Sequence, residues 1–271
     1  DYPTVENAPN GKPVQIVQAY AYSKYLGELT VEFDDNGDVT EAKGAPWLLT
    51  ATVPEDAGFV AKIKEKAAPI EELKAKVIGA SAEAIEGDRK VCRAMECAMG
   101  NLVADAMLDR VKDQGVEIAI QNGGGLRASI DAGEVTKGEV LTDLPFQNTL
   151  ATFQLKGSDV VAALENGVSA IEKGAGRFPQ VSGLKYTFDA SAEAGSRISD
   201  VMVGDAPIDM EKVYGVVSNN YMRGGGDGYK VFKTNGMKAY DYGPGLEQVV
   251  ADFIAAGGDY KPYTDGRITA K

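Results

Sequence analysis

Histidine is absent from all 271 residues, and this absence excludes more chemistry than any other feature of the chain. Without an imidazole there is no Ser-His-Asp or Cys-His triad, no H-E-x-x-H zinc site, no C2H2 finger and no histidine general base. Cysteine is nearly absent too, at two residues, too few to build a zinc site without histidine. Positive charge is in deficit: 28 Lys and Arg stand against 40 Asp and Glu, for a net charge of −12. Such a surface is not expected to bind a nucleic-acid polymer or an anionic membrane. A small anion held by two or three placed arginines remains allowed. No apolar run approaches the roughly 18 residues of a membrane span, and no Gly-Lys-Ser/Thr of a Walker loop occurs. The chain opens at Asp1 with no initiator Met and no basic or apolar leader, which predicts a mature product or a fragment.

Hydrophobic content of 44% and charged content of 25% are those of an ordinary globular protein. Leu29, Val31 and Phe33 alternate with polar neighbours, the period of a strand with one wet face. Asp35-Asn36-Gly37-Asp38 follows as a hairpin turn, in which Asn-Gly would place both central residues at positive φ. A further strand is expected over 14–22. From Pro54 the apolar residues Phe59, Val60, Ile63 and Ala67 recur at helical spacing behind Glu55 and Asp56. Pro69 interrupts, and Ile70, Leu73, Val77 and Ile78 continue the stripe, so a kinked helix over 57–79 is predicted. Beyond it, helices are expected near 99–113, 158–172 and 244–256. Strands are expected near 117–121, 149–155, 184–188 and 213–218.

Cys92 and Cys97 lie five positions apart, which does not fit the two-residue spacing of a thioredoxin-like motif. The pair favours one short-loop disulfide in an oxidising compartment, with two buried thiols as the alternative. Asn122-Gly-Gly-Gly-Leu-Arg127 follows a strand, but the turn residues after it do not open the helix that a dinucleotide fold requires. Its glycines either let a backbone approach a ligand closely or simply make a tight turn. Tyr221-Met-Arg-Gly-Gly-Gly-Asp-Gly228 is a second glycine loop after a strand. There an aromatic suits stacking on a ring while Asp227 accepts from hydroxyls; otherwise Asp227 caps a surface turn. Phe146, held by Pro145, taken alone reads as core, and Arg93 and Arg127 as surface cations.

Taken in order, these segments carry a resemblance. Cys92-Arg-Ala-Met-Glu-Cys-Ala-Met-Gly-Asn101, Asn122-Gly-Gly-Gly-Leu-Arg127, Leu144-Pro-Phe146, Phe178-Pro-Gln-Val-Ser-Gly183, Asn219-Asn-Tyr-Met-Arg-Gly-Gly-Gly-Asp227 and Asp265-Gly-Arg-Ile268 closely resemble the C-terminal domain of the 5′-nucleotidase family. Val17–Gly27 resembles the closing strands of that family's metallophosphatase domain. The resemblance implies an α+β fold with mixed sheets and packed helices. Residues 81–271 would be the nucleotide-binding domain, 54–80 an inter-domain linker helix, and 1–53 a β-hairpin remnant of the catalytic domain. It implies a phosphohydrolase whose divalent metal pair sits in the N-terminal domain, so that this chain alone would hold no metal and be inactive. The hinge for a domain rotation would lie near Pro69 to Ser81.

The resemblance further implies that Phe146 and Tyr221 sandwich the base, with Tyr standing where the family usually has Phe. Asp227 would accept from ribose hydroxyls, and Arg93 and Arg127 would reach the sugar and phosphate. Asn122 and Asn148 would be polar contacts and Gly183 a backbone contact. Cys92 and Cys97 would match a family disulfide. The implied ligands are nucleotides or nucleosides, and the implied partners are the protein's own catalytic domain and a second copy in a homodimer. The implied location is periplasmic or extracellular. Related readings are a 2′,3′-cyclic-nucleotide phosphodiesterase, a UDP-sugar hydrolase and a stand-alone nucleotide-binding module.

Overall fold

The computed structural model describes residues 2–271 and divides into two compact units, 1–68 and 69–271, with the division at Pro69. The first unit contains strands β1 (Thr4–Asn7), β2 (Pro13–Ile16), β3 (Tyr25–Phe33) and β4 (Val39–Leu48). Helix α1 (Ala57–Lys74) crosses the division. The second unit begins with β5 (Val77–Ser81), α2 (Arg89–Cys92), α3 (Ala98–Val111), β6 (Ile118–Asn122), β7 (Gly133–Thr136) and α4 (Lys137–Asp143). It continues with β8 (Leu150–Lys156), α5 (Gly157–Val168), β9 (Pro179–Ser182), β10 (Leu184–Phe188), β11 (Ile198–Val203) and β12 (Ala206–Pro207). It ends with β13 (Val213–Asn219), α6 (Asn220–Arg223), α7 (Lys230–Asn235), β14 (Met237–Tyr240), α8 (Leu246–Gly257), β15 (Asp259–Tyr260) and β16 (Ile268–Ala270).

The fold is the expected mixed α/β class. In the second unit a central sheet runs β14-β8-β13-β6-β9, with β13 parallel to β6 and the other pairs antiparallel. Ile118 and Ile120 of β6 enter one apolar core and Ala119 the other, so helices cover both faces and the whole strand is buried. Helices α3 and α8 belong to one core, and α5 with Phe153, Phe178 and Phe232 to the other. Smaller sheets, β12-β11-β10-β16 and β15-β5-β7, complete the unit.

Three local expectations need correction. The β3–β4 hairpin forms, but only Gly37 takes a positive φ at its turn, not Asn36. The Asp34 carboxylate accepts from the N–H groups of Asn36 and Asp38, and Gly37 N–H donates to the Asp34 carbonyl. This is a type I turn closed by a left-handed glycine, which the aspartate side chain favours over the two-residue turn. The strand expected over 14–22 stops at Ile16, because Tyr20, Tyr22 and Ser23 all take left-handed backbone conformations. The helix expected to reach residue 79 ends at Lys74. Val77 and Ile78 instead enter β5, which pairs antiparallel with β7 and parallel with β15. Both residues are β-branched, and two available partner strands outweigh the helical spacing. Pro69 lies within α1 without ending it, and none of the apolar stripe of α1 is buried.

Candidate functional site

Strand direction gathers the functional loops at one edge of the central sheet. The parallel strands β6 and β13 end there at Asn122 and Asn219. The antiparallel strands β8 and β9 begin there, at Leu150 opposite Asn219 and at Pro179 opposite Asn122. Four loops, 123–127, 144–149, 174–178 and 220–229, therefore emerge side by side. Ligand sites favour this position, outside the carboxyl ends of parallel strands.

The loops enclose a cleft of about 490 Å³. Phe146 and Tyr221 line it and remain 55% and 48% exposed. Large apolar rings left open within a concave site are available for contact with a ligand. Asp227, Asn122 and Asn148 supply polar atoms, and Arg93 supplies charge. Asn122 Nδ2 donates to Asp227 Oδ2 at 2.7 Å, and Asn219 Nδ2 in turn donates to Asn122 Oδ1 at 3.0 Å. Asn219 also caps α6, its Oδ1 accepting from Met222 N–H at 2.8 Å. The last residue of β13 thus sets both the start of the tyrosine-bearing turn and the orientation of Asn122.

Arg93 rides on the loop closed by the Cys92–Cys97 disulfide, which is formed. Short-loop closure of this kind contributes about 2 kcal/mol in the chain-entropy account. Gln180 is fully buried and holds the same loop from inside. It donates to the carbonyls of Cys92 and Met95 at 3.0 and 2.7 Å and accepts from Cys97 N–H at 3.3 Å. The Arg93 guanidinium makes a long contact to the Gly174 carbonyl at 3.4 Å, while its Nε is buried with no partner. Its pKa lies below the usual arginine value, first through desolvation and then through repulsion from Arg127 and Arg89. No ion pair to a carboxylate is formed by Arg93 or Arg127 among the described residues. Two unneutralised guanidiniums near one cleft favour an anionic occupant.

The structure places most of the residues expected from sequence in this cleft, with two exceptions. Arg127 stands beside it, its guanidinium carbon 5.5 Å from the centre of the Phe146 ring and its Nη1 3.4 Å from the Gly124 carbonyl. Gly183 is not at this site. It forms the left-handed turn (φ 72°) between β9 and β10, packed against the Glu117 carbonyl, and borders a separate groove. The glycines that line the cleft are Gly124, Gly125 and Gly176. Gly124 N–H donates to the Gly176 carbonyl at 2.7 Å, and a Cβ on Gly124 would meet the Gly176 Cα at 2.8 Å. Only glycine permits that crossing. Gly176 escaped the sequence reading, although Gly174-Ala-Gly-Arg177 just before a strand was its signal.

Asp143 lies behind the site at the end of α4, and its Oδ1 accepts from Arg127 and Ala128 N–H at 2.8 and 3.2 Å. Burial pushes its carboxyl from 3.8 up to about 7, against the pull of those two N–H groups. The folded state therefore holds this proton more tightly than the unfolded chain. The resulting stability is fully present below the unfolded value and is lost as pH rises through about 7. Thermal unfolding across this range should show the wild type losing stability as pH rises, by at most about 1.4 kcal/mol per pH unit. Asp143→Asn should flatten that slope; an unchanged slope would assign the dependence to other groups.

No group of three or more Cys, Asp or Glu side chains is placed to hold a metal ion among the described residues. The donors present here do not fit a divalent pair, which the resemblance places in the N-terminal domain. No helix among the described residues is long and apolar enough to cross a membrane.

The family described as 5′-nucleotidase, C-terminal domain, matches residues 77–234. The 5′-nucleotidase of Mus musculus is 35% identical over 285 residues, covering 98% of this chain and 49% of the mouse protein. The snake venom 5′-nucleotidase of Macrovipera lebetinus is 34% identical over 288 residues, covering 99% of this chain and 70% of the relative. Among solved structures, the 5′-nucleotidase precursor of Thermus thermophilus aligns with a TM-score of 0.74 at 41% identity, covering 99% of this chain and 54% of that one. The chain thus spans about half the length of the mouse relative.

Proposed function

Because the chain belongs to the 5′-nucleotidase family, we propose that its second unit is the substrate-recognition half of a nucleotide phosphohydrolase. One observation carries this reading: two exposed aromatic rings line the same cleft as a fixed carboxylate and an unneutralised arginine. That set matches the three parts of a nucleotide. Phe146 and Tyr221 offer π-faces to the base, Asp227 offers acceptor oxygens to the ribose hydroxyls, and Arg93, with Arg127 nearby, attracts the phosphate. Stacking on aromatic faces tolerates any base, so recognition rests on the sugar and the charge.

Hydrolysis of the phosphate ester is assigned to a metal pair held by residues outside this chain, in the N-terminal catalytic domain. A pair held there would supply Lewis-acid polarisation of the phosphate and an activated hydroxide. The residues of this chain bind and orient the ligand. On this reading the chain alone binds nucleotides without turning them over. The disulfide and the venom origin of a relative support an extracellular or periplasmic location.

Calorimetric titration of the chain with adenosine and AMP tests the proposal. Saturable binding of both is expected, with AMP the tighter and its advantage shrinking as salt is raised. No binding heat at millimolar ligand would overturn it.

A further inference from the structure

The second aromatic of the cleft carries a hydroxyl, and that hydroxyl has two partners on one residue. Tyr221 Oη donates to Asp227 Oδ1 at 2.9 Å and accepts from the Asp227 backbone N–H at 3.1 Å. The ring lies over Gly226, where a Cβ would come within 2.5 Å of its carbons. Asp227 itself sits at φ 51°, ψ 23°, a left-handed conformation uncommon outside glycine, though aspartate enters it more readily than most residues. Surrounding hydrogen bonds hold the backbone in this conformation. Here they do so from three sides: Tyr221 takes Oδ1 and the N–H, Asn122 takes Oδ2, and Asn166 Nδ2 donates to the Asp227 carbonyl at 3.2 Å. The phenol is pushed above its ordinary pKa, first by burial and then by its bond to Asp227, so it stays a donor at neutral pH.

An ionised carboxylate offers about four lone-pair sites, two on each oxygen. Tyr221 fills one on Oδ1 and Asn122 one on Oδ2, which leaves one acceptor site on each oxygen. Two acceptors held side by side match two hydroxyls on adjacent carbons. We propose that the Tyr221 hydroxyl is a positioning group that fixes Asp227 to read a vicinal diol, so that Tyr221 sets the preference for ribo- over deoxyribonucleosides. This rests on the nucleoside reading of the same cleft. A phenylalanine at 221 would keep the π-face but leave the Asp227 N–H without its partner and the carboxylate free to turn.

The test is a titration of adenosine and 2′-deoxyadenosine into the wild type, Tyr221→Phe and Tyr221→Leu, with hydrogen exchange of the Asp227 amide measured alongside. Tyr221→Phe should lose about ten-fold in adenosine affinity, the worth of one hydrogen bond to a charged group. Its loss for 2′-deoxyadenosine should be smaller, about three-fold, because that nucleoside offers Asp227 one hydroxyl instead of two while stacking is preserved. Tyr221→Leu should weaken both nucleosides, which separates stacking from positioning. The Asp227 amide should exchange about ten-fold faster in Tyr221→Phe, a readout that needs no ligand. An unchanged ratio between the two nucleosides, or equal weakening of both in Tyr221→Phe, overturns the proposal. Unchanged protection of the Asp227 amide also overturns it. If the wild type binds neither nucleoside, the nucleoside reading of the cleft falls with the diol preference, and the exchange rate alone decides whether the hydroxyl clamps Asp227.

Discussion

Replacing Phe146 and Tyr221 together with alanine should weaken adenosine binding by about a hundred-fold or more. Each base–aromatic contact is worth about 1–3 kcal/mol on truncation, and removing both faces leaves only the polar contacts of Asp227 and the asparagines. The loss should be nearly as large for guanosine and uridine as for adenosine, because every base presents a π-face. The fold should survive. Both side chains are about half exposed and neither belongs to the two apolar cores. Calorimetry gives the affinity, and circular dichroism with thermal melting checks that the protein stays folded. A double variant that binds adenosine within about three-fold of wild type would remove the aromatic sandwich from the account, since one lost stacking contact already exceeds that.

The second large effect concerns stability. Arg267→Ala should destabilise the second unit by about 3 kcal/mol, as expected when one partner of a buried charge cluster is deleted. Arg267 is 6% exposed, and its guanidinium is fully engaged. Nη1 reaches Asp105 Oδ1 at 2.7 Å and the Val181 carbonyl at 3.0 Å, Nε reaches Asp265 Oδ1 at 2.9 Å, and Nη2 reaches the Tyr263 hydroxyl at 2.9 Å. Glu96 joins the C-terminal segment to the disulfide loop, accepting from Asp265 and Gly266 N–H and from Asn101 Nδ2. Arg267→Lys should recover less than half of the loss, because an ammonium cannot span a planar fork of partners. Urea unfolding of the three proteins measures this. Full recovery in Arg267→Lys would mean that charge alone, not the fork, holds the segment.

This cluster explains a part of the sequence that resemblance left without a role. Asp265-Gly-Arg267, Glu96 and Asn101 stand out in the chain as clearly as the loops of the cleft do, yet none of them lines it. Arg267 and Asn101 are buried, with Glu96 and the exposed Asp265 as partners for their side-chain donors. Gln180 is of the same kind: it lies in the segment that suggested Gly183 as a ligand contact, and it acts by holding the arginine-bearing loop. Sequence order marks both sorts of residue alike. Only the direction in which a side chain points separates a contact with ligand from a brace behind it.

Local rules served well where the deciding forces were local. Helix α3, strands β6, β8, β10 and β13, and helix α8 fall close to the positions expected from their apolar residues, with β10 alternating and β6 and nearly all of β13 buried on both faces. The rules failed at Val77 and Ile78, where strands β7 and β15, distant in sequence, supplied partners that helical spacing could not register. They failed at Phe146 for the converse reason. A phenylalanine behind a proline reads as core, but the sheet edge holds its loop over an open cleft.

Residue order alone established the lack of imidazole chemistry, the family, the alternation of strands and helices, and the residue types on offer: two aromatics, one aspartate, and arginines in an acidic chain. Which of them meet was left to long-range packing. One parallel pair and two antiparallel partners bring four loops to one edge of one sheet, a product of strand pairing that no local window contains. Packing also turned the Tyr221 hydroxyl toward Asp227 across the Gly226 backbone, because that contact depends on a left-handed turn fixed by Asn122 and Asn166 from elsewhere in the chain.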